Sequence, residues 1–330
     1  MKILFIRFSS IGDIVLTTPV IRCVKQQLGA DIHFLTKQSF RAVLVANPYI
    51  DRLVTIQSDV KEVLYSLQQE KYDYILDLHH NTRSWQVKRA LGGKSYSFNK
   101  INIAKWLIVN FKINRLPAVH IVDRYLDTAR TLGVYNDGRG LDYFIPPEDE
   151  LLVGSPEFQQ IFMPPAALPF SFIAFVIGAA HATKRLPTEK IISICQKIRQ
   201  PIILLGGPED AATGEQIAQA AGAHVYNACG KLRLNQSASL VRQAAQVITH
   251  DTGLMHIAAA FRKDIISIWG NTIPEFGMYP YYPQGENRNI SLEIKGLACR
   301  PCSKIGYARC PKGHFRCMRA ISETPFEALI

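Results

Sequence analysis

The chain has 330 residues, a length that suits two domains of about 150 residues each rather than a single core. Its composition, 48% hydrophobic and 20% charged, is typical of a soluble globular protein, and no apolar run approaches the roughly 20 residues that cross a bilayer. Arg7 and Asp13 interrupt the short apolar start, which favours a first strand over a signal peptide. We therefore expect the protein to remain in the cytoplasm.

The net charge of +11 is concentrated in two segments that contain no acidic residue. The first, between Asp77 and Asp123, holds eight basic residues, and the second, between Glu293 and Glu323, holds seven. Such segments are often only solvated surface, but their length suggests a polyanionic partner: nucleic acid, anionic lipid or a phosphorylated glycan. Within the first segment, residues 102–111 are apolar enough to form an ordinary packed helix or to enter a bilayer interface.

The first half of the chain alternates short strand-like runs with helical patterns, which predicts a parallel, doubly wound sheet. We expect strands at residues 2–8, 31–35, 52–56 and 72–78, and helices at 13–28, 60–69, 83–91 and 120–132. Six prolines between residues 146 and 169 interrupt the pattern and predict an interdomain linker.

The alternation resumes after the prolines. We expect strands at residues 172–177, 201–205, 224–226, 247–249 and 264–269, and helices at 188–199, 209–221 and 237–245. The pattern predicts two Rossmann-like α/β domains, at residues 1–155 and 165–330, with a ligand-binding cleft between the carboxyl ends of their strands.

The turn from the first strand into the first helix contains Ser10, Gly12 and Asp13 but no Gly-x-Gly-x-x-Gly. The missing fingerprint argues against a dinucleotide cofactor. Asp13 is a good N-cap, and it is also a candidate base, because the amino terminus of a helix favours an ionised carboxylate.

Two junctions of the second half carry polar residues or glycines at predicted strand ends. Lys184 and Arg185 are cations suited to a diphosphate, although on local sequence a solvated loop explains them better. Gly206 and Gly207 permit close backbone approach, and the neighbouring Glu209 could accept hydrogen bonds from a ribose.

The strongest motif contains Asp251, Thr252, Gly253, Met255 and His256, where a short strand runs directly into a small-residue helix. The unpaired N–H groups of the first helical turn can hold a phosphate at such a junction. The simpler alternative is an N-cap at Asp251 or Thr252 and a half-buried His256.

Taken in this order, the motifs resemble glycosyltransferase family 9, the heptosyltransferases of bacterial lipopolysaccharide assembly. The resemblance covers nearly the whole chain. It is carried by Ser10-Ile11-Gly12-Asp13, Pro19, Lys184-Arg185-x-Pro187, Gly206-Gly207-x-Glu209, the segment from Asp251 to Ala258, and Trp269-Gly270-Asn271-Thr272. It implies a GT-B fold, in which an amino-terminal acceptor domain and a carboxyl-terminal donor domain face each other across a cleft.

The resemblance also implies an inverting sugar transfer that needs no metal or other cofactor. Asp13 would be the general base, and Lys184 would neutralise the departing diphosphate. The donor, with ADP-heptose favoured, would be held by Gly206, Gly207, Glu209, Asp251, Thr252, Gly253, Met255 and His256.

The implied acceptor is an anionic glycolipid, the lipopolysaccharide inner core or lipid A, at the cytoplasmic face of the inner membrane. Ser10, Gly12 and Arg83 are the candidate residues on the acceptor side. The motifs leave the donor sugar open, and no nucleic-acid motif is present. Two alternatives remain: a nucleotide-sugar hydrolase or epimerase of the same fold, and a non-enzymatic polyanion-binding protein.

Four cysteines, Cys299, Cys302, Cys310 and Cys317, lie close together near the end of the chain, with His314 among them. In a cytoplasmic protein such a cluster favours a structural zinc ion over disulfides. The spacing of the last two cysteines is not that of a standard zinc finger, so free thiols are the alternative.

Overall fold

The computed structural model describes residues 1–162 and 171–327, which form two compact units by their internal contacts. The first unit comprises Met1–Ile101, Ala118–Pro146 and Tyr281–Glu286, and the second comprises Asn102–Pro117, Pro147–Pro280 and Asn287–Ile330. Two short segments therefore belong to the unit opposite to the one that their place in the chain suggests. The predicted linker prolines Pro164, Pro165 and Pro169 lie outside the described residues, so a domain boundary at 155–165 stays a prediction.

The first unit is built on a parallel five-stranded sheet. Its strands are β1 (Lys2–Ile6), β2 (Asp31–Lys37), β3 (Arg52–Ile56), β4 (Tyr74–Asp77) and β5 (Lys94–Ser97), in the order β3-β2-β1-β4-β5. The helices along this part of the chain are α1 (Ile11–Val15), α2 (Thr18–Leu28), α3 (Lys61–Gln69), α4 (Thr82–Leu91), α5 (Asn102–Phe111) and α6 (Ile121–Arg130), of which α5 packs in the second unit.

The predicted helix at 13–28 is wrong in one respect, because two helices, α1 and α2, occupy this stretch. Pro19 lies in the first turn of α2. It has no N–H to donate to the carbonyl of Val15, and its ring would clash there, so α1 cannot continue through it. The first turn of a new helix tolerates the proline, and α2 is then buried on all sides from Thr18 to Val24.

The second unit is built on a parallel six-stranded sheet in the order β11-β10-β9-β6-β7-β8. Its strands are β6 (Ile173–Val176), β7 (Ile202–Leu205), β8 (Val225–Asn227), β9 (Gln246–His250), β10 (Asp264–Trp269) and β11 (Asn289–Glu293). Its remaining helices are α7 (Pro156–Phe162), α8 (Thr188–Lys197), α9 (Ala211–Ala221), α10 (Leu234–Gln243), α11 (Gly253–Ala260), α12 (Arg316–Arg319) and α13 (Thr324–Glu327).

The strand orders fix where ligands can bind in each unit. In the first sheet the order reverses between β1 and β4, and in the second it reverses between β6 and β9. Loops diverge at such a switch point and leave a crevice outside the carboxyl ends of the two strands. Asp13 follows β1, Lys184 follows β6 and Asp251 follows β9, so all three lie at a switch point.

Within the part of the chain that the structure describes, no helix is both long and apolar enough to span a membrane.

Candidate functional site

An ion pair at the end of β1 holds the predicted base. Arg7 Nη2 lies 2.7 Å from Asp13 Oδ1, and Ser10 Oγ donates a hydrogen bond of 2.8 Å to Asp13 Oδ2. The other guanidinium nitrogen of Arg7 donates to the carbonyl of Leu78 at 2.6 Å and to Tyr125 Oη at 3.0 Å. Burial disfavours the charge of Arg7, but Asp13, together with Tyr125 and Asp77, outweighs burial and raises the pKa of Arg7. Both carboxylate oxygens of Asp13 are therefore held by neighbouring side chains, and the Asp13 side chain remains 19% exposed.

A neutral histidine follows β4 on the other side of the same switch point. The backbone N–H of Phe8 points at His79 Nδ1 from 3.4 Å, and the two rings meet edge to face. Burial, reinforced by the charge of Arg7, lowers the pKa of His79 to about 4. His79 is therefore uncharged at neutral pH and does not compete with Arg7 for the Asp13 carboxylate.

The loop that carries His79 is shaped by a fully buried carboxylate, Asp77. It accepts the backbone N–H groups of His79 and His80 at 3.1 and 2.7 Å, and it pairs with Lys88 at 2.8 Å. Burial raises the pKa of Asp77, but Lys88 and these hydrogen bonds outweigh burial and hold that pKa below its usual range. Asp77 and Lys88 were not among the predicted site residues, although a lone acid at a strand end before a basic helix was a usable signal.

The three predicted acceptor-side residues have different surroundings. Ser10 is the exposed N-cap of α1, and Gly12 is buried within that helix. Arg83 is exposed in the first turn of α4. Their part in binding an acceptor stays a prediction.

In the second unit, the loops after β6, β9 and β10 converge on one ion pair. Lys184 Nζ lies 2.6 Å from Asp251 Oδ2, and the Thr272 hydroxyl donates to the same carboxylate oxygen at 2.9 Å. Their side chains lie mostly out of solvent, with Lys184 16% and Asp251 12% exposed. The structure thus brings together two residues predicted from separate motifs, and adds Thr272 from a third.

The glycine-rich loop after β7 is organised by Asp210, which the sequence analysis did not single out. Asp210 accepts the backbone N–H of Gly207 at 3.0 Å and pairs with Arg185 at 2.7 Å. A Cβ atom on Gly206 would lie 2.8 Å from the Asp210 side chain, so this turn requires glycine. Arg185, predicted as a second cation for a diphosphate, is therefore engaged by Asp210, while Glu209 is exposed at the same turn.

The helix after β9 begins at the strongest sequence motif. Thr252 is the N-cap of α11, without a side-chain capping hydrogen bond, and Gly253 is the first helical residue. Met255 is fully buried and His256 is 2% exposed. Asp251 pairs with Lys184, while Thr252 takes the N-cap position that the simpler alternative gave to one of these two residues. A role for this junction in holding the donor stays a prediction. Direct donor contacts from Met255 and His256 stay a prediction.

The four clustered cysteines carry free thiols. Cys299 Sγ lies 3.7 Å from His314 Nε2, and the Cys302 thiol donates to the carbonyl of Cys299 at 2.9 Å. Burial, with a smaller contribution from neighbouring thiols, raises the pKa of both Cys302 and Cys317 to about 11. Over residues 1–162 and 171–327, no group of three or more His, Cys, Asp or Glu side chains is arranged to hold a metal ion. A zinc site here stays a prediction.

Helix α5 carries an exposed apolar surface within the second unit. Its buried residue Ile108 packs against Ile273 and Phe276, and Lys112 Nζ donates to the carbonyl of Pro301 at 2.7 Å. Four apolar side chains in α5 and just after it are exposed: Ile103, Trp106, Phe111 and Ile113, with exposed fractions of 78, 51, 58 and 48%. We call these four residues the α5 surface.

Solved structures of other proteins share the fold of this chain. A family 9 glycosyltransferase from Veillonella parvula DSM 2008 is similar with a TM-score of 0.77 and 22% identity, covering 99% of this chain and 95% of that one. The E. coli heptosyltransferase WaaC with ADP-2-deoxy-2-fluoro heptose is similar with a TM-score of 0.62 and 19% identity, covering 90% and 94% of the two chains. The predicted GT-B fold is confirmed.

The sequence places the chain within one family of this fold. Residues 60–307 match the sequence model of glycosyltransferase family 9 (heptosyltransferase), which is most of the chain. Lipopolysaccharide heptosyltransferase 1 of Campylobacter coli is 23% identical over 315 residues, which cover 89% of each protein. The chain belongs to glycosyltransferase family 9. The protein is thus a sugar-transferring enzyme, which disfavours the alternatives of a hydrolase, an epimerase or a polyanion-binding protein.

Proposed function

We propose that this enzyme transfers heptose from ADP-heptose to the inner core or lipid A part of lipopolysaccharide. The observation that carries the proposal is the Lys184–Asp251 pair at the switch point of the second sheet, directly before the amino terminus of α11. A cation beside unpaired helix N–H groups suits a diphosphate. The names and ligands of the relatives supply the sugar and nucleotide: one is called a lipopolysaccharide heptosyltransferase, and another binds an ADP-heptose analogue.

In the proposed reaction, Asp13 accepts the proton of the acceptor hydroxyl as that oxygen attacks the anomeric carbon. The bond from the anomeric carbon to the diphosphate oxygen breaks on the opposite face, so the configuration inverts and ADP leaves. The pairing with Arg7 supports this role, because it favours the ionised carboxylate that a base requires.

Lys184 neutralises the charge that develops on the leaving diphosphate. Its ammonium is held by Asp251 and takes up the phosphate oxygens as additional partners. With this cation and the α11 amino terminus supplying positive potential, we propose that the transfer needs no metal ion. Gly206, Gly207 and Glu209 provide the nucleoside side of the donor site, where the bare backbone lets the ligand approach closely.

We further propose that the enzyme works as a peripheral protein at the cytoplasmic face of the inner membrane, with the α5 surface in contact with lipid. Aromatic and aliphatic side chains enter the headgroup region, and neighbouring cations attract anionic lipid. The α5 surface has both features, because the exposed Arg115 follows its apolar residues. The ammonium groups of Lys105 and Lys112 lie instead against the Phe276 ring and the Pro301 carbonyl. The lack of any acid between Asp77 and Asp123 supports the same interpretation.

We also propose a structural zinc ion at Cys299, Cys302, Cys310 and Cys317. The proposal is based on the four thiols and His314 that lie within residues 299–317. The ion would fix this segment and take no part in the transfer.

Thermal unfolding of the purified enzyme with ADP, UDP, GDP and CMP in parallel tests the donor assignment. A ligand at about 100 times its Kd stabilises the native state by about 2.7 kcal/mol, a shift that is readily measured. ADP alone should raise the Tm. A response to UDP or GDP and not to ADP would overturn ADP-heptose as the donor, and Lys184→Ala should abolish whichever response is found.

A further inference from the structure

We call residues 299–317 the cysteine segment. It donates hydrogen bonds to three consecutive carbonyl groups of the loop that follows β10. Arg300 Nε donates to the carbonyl of Gly270 at 2.7 Å, and its Nη2 donates to the carbonyl of Thr272 at 2.8 Å. The backbone N–H of Cys302 donates to the carbonyl between them, that of Asn271, at 3.1 Å. The backbone that presents the Thr272 hydroxyl is therefore held at three successive positions.

Arg300 is a buried cation whose hydrogen-bonding groups are all engaged. Its side chain is 5% exposed, and its charge is balanced by Glu293, also buried, at 2.6 Å. A buried arginine is costly unless its charge is paired and its N–H groups are bonded. Here the planar guanidinium meets one carboxylate and three carbonyls, those of Gly270, Thr272 and, at 3.4 Å, Ile294. The single ammonium of a lysine does not reproduce this geometry.

The same segment also holds the loop that carries Lys184. Thr183, 2% exposed, donates its backbone N–H to the carbonyl of Tyr307 at 3.2 Å, and its hydroxyl accepts the N–H of Tyr307 at 2.8 Å. The two loops touch directly, because a Cβ on Gly270 would lie 2.6 Å from the carbonyl oxygen of Thr183. The loop that carries Lys184 and the loop that carries Thr272 are thus both hydrogen-bonded to residues 300–307.

We propose that Arg300 is a positioning residue for the Lys184–Asp251 pair. It fixes the backbone of Thr272, the Thr272 hydroxyl fixes the Asp251 carboxylate at 2.9 Å, and Asp251 holds Lys184. Arg300 does not touch the donor; it sets the place of the ammonium that does. This inference rests on the proposed function, in which Lys184 meets the donor diphosphate.

Arg300→Lys in the full-length enzyme is the first test. The variant keeps a positive charge opposite Glu293 but loses the two-carbonyl fork. We expect kcat/KM for ADP-heptose to fall about ten- to a hundredfold, since small misplacements of a positioned group have effects of this size. The KM for the acceptor should not change. Arg288→Lys, at an exposed pair with Asp264, is the matched control and should behave as the wild type.

Thr272→Val removes the hydrogen bond from the Thr272 hydroxyl to Asp251 and leaves the buried Arg300–Glu293 ion pair in place. It should lower kcat/KM for ADP-heptose to the same extent. In the double variant with Arg300→Lys, kcat/KM should fall by less than the product of the two separate factors, because both substitutions act through Asp251. A purely structural Arg300 would lower the Tm and leave the kinetic constants of the folded enzyme unchanged, which would overturn the proposal.

Lys184→Ala separates failure of this inference from failure of the proposed function. If Lys184→Ala weakens ADP binding and lowers kcat/KM for ADP-heptose, but Arg300→Lys and Thr272→Val leave kcat/KM unchanged, only the positioning role is wrong. If Lys184→Ala leaves ADP binding unchanged, Lys184 does not bind the donor diphosphate, and the positioning role proposed for Arg300 is wrong as well.

Discussion

Lys184 Nζ and Asp251 Oδ2 lie 2.6 Å apart at the switch point of the second sheet. The pair joins loops that follow two adjacent strands, β6 and β9, although 67 residues separate them in the chain. Asp251 orients the ammonium before a donor arrives, so little reorganisation is needed when the diphosphate binds. The pair therefore combines a position at the switch point, a residue of the strongest sequence motif and the cation of the proposed reaction.

Lys184→Ala should lower kcat by about 10²- to 10³-fold, the usual loss when one group that stabilises developing charge is removed. It should also weaken ADP binding, because the diphosphate loses its cation. Steady-state kinetics and calorimetric titration with ADP measure the two effects. Lys231→Ala, an exposed lysine of the same unit, is the control. An unchanged kcat would remove Lys184 from the mechanism.

Glu323 should make stability depend on pH in the acid range. It lies 2.8 Å from Lys190 and 3.1 Å from Lys197. Burial alone would raise its pKa, but the Lys190, Ser193 and Lys197 hydrogen bonds outweigh burial and lower the pKa of Glu323 to about 2. Because the folded-state pKa lies below the unfolded value near 4.5, the stabilisation is complete above that value and is lost as the pH falls towards 2.

Glu323→Gln should therefore lower the free energy of unfolding at pH 7, and the difference from the wild type should shrink between pH 4.5 and pH 2. Denaturant unfolding at a series of pH values measures it. Glu327→Gln, whose side chain is 50% exposed beside Lys197, should have a much smaller effect. A difference that does not change with pH would contradict the assignment of the low pKa.

The α5 surface should bind anionic vesicles. Replacing Trp106 with Gln should weaken co-sedimentation with phosphatidylglycerol-containing vesicles about ten- to a hundredfold, since burying one large apolar side chain stabilises by about 1.5–3 kcal/mol. Tyr65→Gln, which removes an aromatic residue that is 76% exposed on α3, is the matched control. Equal binding of wild type and Trp106→Gln would place the lipid contact elsewhere.

The cysteine segment should contain one zinc ion per chain, lost in Cys302→Ser and retained in Cys195→Ser, whose thiol is buried in the core of the second unit. Elemental analysis of the purified protein measures the zinc, and thiol titration after unfolding counts the cysteines that are not in disulfides. Protein without zinc, in which all seven cysteines titrate as free thiols after unfolding, would show that the segment is held by its backbone contacts alone.

Most of both sheets could be predicted from the sequence, because buried parallel strands are marked by continuous apolar runs such as β6 and β7. The edge strands β5 and β11 were missed. Their residues are largely polar and exposed, so they lack that signal, and only pairing with a neighbouring strand makes them strands.

The candidate site was predictable where its residues lie at the junctions between a strand and the next helix, as Asp13, Lys184 and Asp251 do. Their partners were not. Thr272 and Arg300 reach the Lys184–Asp251 pair only because β10 lies beside β9 and the cysteine segment folds back on the loop after β10. Strand order and long-range backbone contacts of this kind leave no local pattern in one sequence.

Release of ADP from ADP-heptose, measured with and without a lipopolysaccharide acceptor, tests the central claim most directly when wild type and Asp13→Asn are compared. The wild type should release ADP rapidly only with acceptor present. Asp13→Asn should lower that rate by about 10²- to 10⁴-fold, the usual contribution of a general base, while ADP affinity stays within a few-fold. Asp127→Asn, an exposed carboxylate of the same unit, should leave the rate unchanged. Near-normal turnover by Asp13→Asn, or equally fast ADP release without acceptor, would contradict the account.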